Sequence, residues 1–273
     1  MATPIVCTPK ILPKDRWIAA SEKAIEINPL NRAPVERLRM ADPHIKPTPA
    51  HLAVLTTKYW HTAGVRLTVG FLDNPPADLR ARILEHMNAW DQTARVRFTE
   101  SLTEPQVRIA RAADGYWSYL GTDILAIAKD QPTMNLQGFT METEESEFHR
   151  VVRHETGHTL GFPHEHMRKE LVDRIDRAKA IAYFLRTQGW DEMTVEQQVL
   201  TPIEQSSLWG TAHADPNSIM CYQIPGEITK DGKPIVGGLD IDKADYRFAG
   251  KVYPKVTHEE ETELAGAMAE GER

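Results

Sequence analysis

Only two of the 273 residues are cysteine, Cys7 and Cys221. At most one disulfide can form, whereas secreted domains that depend on bridges usually carry more, so a reducing compartment is expected. No apolar run approaches the roughly 20 residues that cross a bilayer, and the N-terminus lacks the apolar core of a signal peptide. The expectation is a soluble chain without a membrane partner, cytoplasmic or exported by a non-classical route. Basic runs are missing as well: 32 Lys and Arg face 39 Asp and Glu, a formal charge of −7, which argues against nucleic acid as a partner. No internal repeat is found.

What remains is an ordinary globular composition, 41% hydrophobic and 26% charged, in a chain long enough to bury one large domain or two lobes. The tail from Thr257 to Arg273 holds six Glu against one Arg and carries most of the net charge. The expected division is an N-terminal extension over 1–50, a main domain over 51–256 and an acidic tail over 257–273. Trp17, Ala20, Ala24 and Ile27 fall at helical spacing within the extension, and "NPLNRAP" stops that helix. Val65, Leu67, Val69 and Phe71 alternate as in a half-buried strand. Leu79, Ile83, Met87 and Trp90 mark an amphipathic helix behind Pro75 and Pro76.

Short strands are expected at Val96–Phe98 and Val107–Ile109, and further ones in "YWSYL", "ILAIA" and "TMNLQGF". "EESEFHRVVRHETGHTL" reads as the next helix, burying Phe148, Val151, Val152 and Thr159. The stretch after Gly161, including "IDRAKAIAYFLRTQGW", reads as helix-poor until "LDIDKADYRFAGKVYP" restores helical spacing. A strand, a helix and several more strands imply an α/β fold, a twisted mixed sheet with helices on one side.

The densest chemistry is "HETGHTLGFPHEH", positions 154–166. Residues four apart share a helix face, so His154 and His158 point the same way and suit a zinc ion. Glu155, one position round, does not compete as a ligand. It can hold a metal-bound water and take its proton. Gly161 can turn the chain after the helix, and His164 then returns as third ligand, leaving an open position of the catalytic kind. His166 is the rival third ligand. His149, five residues before His154, falls off the metal face.

These residues resemble the HExxHxxGxxH signature of the metzincins, and Phe162 and Glu165 around His164 give it the form typical of astacins. "SIMCY" is similar to the astacin Met-turn, "GYWSYLG" to the edge-strand segment, and "LDIDKADYRFAGKVYP" to the closing helix. The resemblance implies a metzincin-type zinc protease fold, with an active-site helix above an irregular lower lobe that bears the Met-turn. It implies one catalytic Zn2+ on His154, His158 and His164, with Glu155 as base. Met220 would underlie the metal, and the Tyr222 phenol would stabilise the oxyanion. Tyr116, Trp117, Ser118 and Tyr119 would bind an extended polypeptide as an added antiparallel strand. Glu165 would meet a processed N-terminus, or else pair with Arg168.

The implied function is hydrolysis of internal peptide bonds. The alternative is a zinc protein that binds a partner, or that cleaves only itself or one dedicated substrate. Two residues invite further readings. Cys7 resembles the prosegment cysteine with which matrixins ligate zinc, so residues 1–50 are a possible latency segment. Lys230 and Lys233, shortly after the Met-turn, are either solvated or bias the site towards acidic side chains.

Overall fold

The computed structural model describes residues 7, 10–41, 44, 48, 49, 53, 55–202 and 214–255. Five strands form its sheet: β1 (Val65–Phe71), β2 (Val96–Glu100), β3 (Val107–Ala110), β4 (Tyr116–Ser118) and β5 (Met134–Leu136). Their order is β2-β1-β3-β5-β4. The first four in that order run parallel, and β4 alone is antiparallel, pairing Tyr116 with Leu136 and Ser118 with Met134. β4 is therefore a sheet edge with one side of its backbone unclaimed by the sheet.

Among the described residues, several helices accompany the sheet, besides a short helix over 192–200 that ends in a π turn. α1 (Trp17–Ile27) and α2 (Ala33–Ala41) belong to the extension, so "NPLNRAP" is a short 3-10 junction that leads into a second helix. α3 (Ala77–Met87) follows Pro76 and passes into a 3-10 turn that buries Trp90. α4 spans 145–159, with a π-helical turn at Phe148–Val152 ahead of a regular end, Arg153–Thr159. α5 (Arg177–Gln188) and α6 (Lys243–Val252) complete the set.

Two expectations fail here. "ILAIA" is no strand: Gly121, at φ +48, sits where a Cβ would collide with the Lys58 carbonyl, and a 3-10 helix spans Gly121–Ala126. The stretch after Gly161 is not helix-poor, since α5 spans twelve residues. Asp176 caps it by accepting from Lys179 N, and Gly189 ends it in the left-handed region at φ +68, the two signals that start and stop a helix. α5 buries only Ala180 and Phe184, too narrow a face for periodicity to reveal.

The main core lies between the sheet and α3, α4 and α6, with Leu67, Val69, Ile83, Phe98, Phe148 and Val152 at its centre. A second cluster, around Ile175, Phe184, Ile224 and Ile235, forms the lower part, and Cys7, Cys221 and Tyr222 belong to it. The extension is fastened to the body by two buried asparagines. Asn31 donates to Ala24 O and Tyr59 O and accepts from Thr57 Oγ1 and Tyr59 N, while Asn28 donates to Trp60 O at 2.7 Å. Residues 256–273, and with them the acidic tail, lie outside the described residues.

Candidate metal centre

α4 carries His154 and His158 one turn apart, with ring centroids 4.7 Å apart. Gly161, at φ +93, reverses the chain where a Cβ would press on Lys58 and Tyr59, and brings His164 back beneath the helix. His164 Nε2 lies 3.1 Å from His154 Nε2 and 3.0 Å from His158 Nε2. Each helical imidazole is aimed by a backbone acceptor: His154 Nδ1 donates to Ile219 O at 2.6 Å, and His158 Nδ1 to Phe162 O at 2.8 Å. With Nδ1 protonated, the lone pairs on Nε2 converge on one point, the arrangement that orients histidine ligands.

Burial pushes His154 down to about 4, and burial with the neighbouring rings holds His158 and His164 well below the usual imidazole range. Neutral imidazoles with lone pairs 3 Å apart repel unless a cation lies among them. The donor set fits Zn2+, which takes neutral imidazole nitrogen.

Glu155 is 1% exposed beside this cluster, and burial pushes its carboxyl up to about 8. Met220 packs under α4 so closely that a Cβ on Gly157 would run into its Sδ. Gly157, one of the two variable positions inside HExxH, is thereby tied to the Met-turn, a role the sequence reading did not assign. The turn is held by Asp245 of α6, which accepts from Ser218 Oγ at 2.6 Å and Ile219 N at 2.9 Å. Asp245 also completes the capping box of its own helix with Asp242. An Asp at N3 behind an Asp cap was visible in "LDIDKAD", but its second use on the Met-turn was not.

His166 is buried but points elsewhere, with Nε2 on Gln198 O at 2.9 Å and its ring stacked 4.1 Å from Tyr222. His149 faces Asp240 and Glu145, away from the three imidazoles. Glu165 lies 3.8 Å from Arg168 and accepts from Asp215 N. Lys230 donates to the Asp173 carbonyl at 2.8 Å.

The fourth donor at the centre comes from the extension. Cys7 Sγ lies within 4.8 Å of ligand nitrogens of His154, His158 and His164, and donates to Glu155 Oε2 at 3.4 Å. The Tyr222 hydroxyl donates to the Cys7 carbonyl. On the free side of β4, Cys7 bridges Tyr116 and Lys10 bridges Tyr119, both in the parallel sense. Trp117 underlies Lys10 Nζ at 4.7 Å, and Ser118 Oγ turns inward to Thr159 Oγ1 at 3.0 Å. The edge segment thus meets Cys7 and Lys10, and the carboxylate and the phenol meet Cys7.

The profile of the Astacin family of peptidases matches residues 54–226. The chain belongs to the astacin family. Over 96 residues, 35% of the chain, it is 36% identical to zinc metalloproteinase nas-27 of Caenorhabditis elegans, and that stretch is 20% of the relative's length. A solved structure of myroilysin is 28% identical with a TM-score of 0.68, covering 73% of this chain and 97% of that one. A second, a crystal structure of myroilysin, is 29% identical with a TM-score of 0.56, covering 72% and 86%. The fold of this astacin-family chain is that of myroilysin, and its cofactor is zinc.

Proposed function

We propose that the chain is a zinc-dependent endopeptidase that cuts internal bonds of extended polypeptides, and that the state described is its latent form. The observation that carries this is the convergence of three backbone-aimed imidazoles beside a buried carboxylate, at the free edge of a sheet. His154, His158 and His164 would hold the ion, which supplies the Lewis acidity that polarises a carbonyl and makes water nucleophilic near neutral pH. Glu155 then receives the proton of the attacking water on its carboxylate and delivers it to the departing amine. Freed of Cys7, the Tyr222 hydroxyl donates to the oxygen that gains charge. The peptide backbone adds to β4 in the antiparallel sense along Tyr116–Tyr119. Neither nucleic acid nor a membrane enters this reading, consistent with a charge of −7 and with no helix, among the described residues, long and apolar enough to cross a bilayer.

Latency follows from what fills the cleft. A thiolate is a strong zinc ligand, and Cys7 brings to the three imidazoles a thiol that would become one on losing its proton to the metal, while its carbonyl occupies Tyr222 and its thiol faces Glu155. The segment runs parallel to β4, opposite to the sense expected of substrate. The test compares the full-length protein with its Cys7→Ser variant on a quenched peptide library, with and without phenanthroline. X-ray absorption at the zinc edge is recorded in parallel. Expected are sulfur among the zinc neighbours of the native protein only, and faster, phenanthroline-sensitive cleavage by the variant. Nitrogen and oxygen alone in both would refute latency, and zinc without cleavage by either would leave a binding protein.

A further inference from the structure

The sheet ends at β2, whose outer side pairs with no other strand among the described residues. Beside it lies a groove of about 970 Å³ that gathers Arg66, Arg95, Arg97 and Lys255 around a single acid, Asp91. We propose that this groove docks the acidic stretch 259–263 of the chain's own tail, which lies outside the described residues.

The fold collects these cations from three separate segments. β1 and β2 run in register, so Arg66 and Arg97 are direct neighbours, both exposed, while Val65, Leu67, Val96 and Phe98 on the other face enter the core. Parallel strands lie about 4.8 Å apart, and like charges at that spacing repel. Arg95 joins them because Gly64, at φ +113, has no Cβ to hold its Cγ and Cδ away. Asp91 is shared, accepting from Lys255 Nζ at 3.2 Å on Oδ1 and lying 3.8 Å from Arg97 Nη1 through Oδ2. Arg97 stays 62% exposed in spite of it. One carboxylate among four cations leaves room for further anions.

The chain carries such anions out at the rim of the groove. Tyr253 O accepts from Arg95 N at 2.8 Å, and Pro254 bridges Ala94 in the antiparallel sense. The Tyr253 hydroxyl, donating to Leu160 O, fixes this exit to the body. Glu259 comes four residues after Lys255, a reach of up to about 14 Å, and opens the run Glu-Glu-Glu-Thr-Glu. Exposed ion pairs are individually weak, but a short tether holds the partner at high effective concentration. A separate acidic polypeptide would have to displace one already attached. β2 and β4 are the two edges of the sheet, about 19 Å apart at the usual strand spacing, so this docking is independent of the peptidase reading of the imidazoles.

The test treats the full-length protein with a glutamate-specific protease and reads the initial cuts by mass spectrometry. Arg66→Ala combined with Arg97→Ala should speed cleavage within 259–263 about fivefold, whereas Arg66→Lys combined with Arg97→Lys should leave it slow. Salt at about 1 M should erase the difference. In the lysine variant, carbodiimide should join the introduced amines to glutamates of 259–263 within one molecule. Equal cleavage rates in the three proteins, or no such crosslink, overturn the proposal. Protection that fades on dilution, with crosslinks found only in dimers, would assign the groove to a second copy's tail and overturns it as well.

Discussion

The buried carboxylate of Glu155 sits beside the three imidazoles without belonging to their donor set, whose fourth member is Cys7. Glu155→Ala in the Cys7→Ser background should therefore keep its zinc and its melting temperature while turnover falls by roughly 10²-fold or more. Elemental analysis beside a peptide assay checks this, and near-normal turnover would contradict the role given to the carboxylate. His164 and His166 separate in the same way. His164 Nε2 lies within 3.1 Å of both helical imidazoles, whereas His166 Nε2 donates to Gln198 O and its ring stacks on Tyr222. His164→Ala should lose most of its zinc and His166→Ala should retain it; retention by the first and loss by the second would exchange their assignments.

At the scale of elements, the Met-turn and α6 are joined through one side chain. Asp245 accepts from two buried donors of the turn, Ser218 Oγ and Ile219 N. Asp245→Ala leaves both without partners, at a cost of about 2–3 kcal/mol, measurable as a lowered denaturation midpoint. Asp245→Asn, which keeps an acceptor oxygen, should lose less; equal losses would show that the turn is held by packing alone. Strong periodicity made α1, α3, α4, α6 and β1 legible in the sequence, because each buries a wide face or a strict alternation. α5 was missed because its buried face is narrow, and the 3-10 helix after Gly121 because its cause is a backbone contact with Lys58, far away in sequence. The imidazoles and Glu155 could be read from spacing, since one helix and one glycine turn bring them together. The fit of Gly157 over Met220 depends on packing between distant segments, which spacing does not encode.

Across the whole molecule, the extension and the body share contacts that a simple truncation would break. Cutting near Pro47, a position outside the described residues, removes Asn28 and Asn31 and strips partners from Thr57, Tyr59 and Trp60 just ahead of β1. Substitution at Cys7 separates latency from folding more cleanly. The parallel sense of the Cys7 and Lys10 bridges has a kinetic corollary. Cys7 and Lys10 meet the β4 edge that way, so on the latent reading proposed above the peptide bonds there are presented backwards and are not cut by the site. Self-processing of such a latent form would then pass between two molecules, so the rate of activation per molecule would rise with concentration. Following purified, zinc-loaded protein at several dilutions should show a lag that shortens as the protein is concentrated and that added, already active Cys7→Ser protein abolishes. A lag independent of both would mean that each chain frees itself.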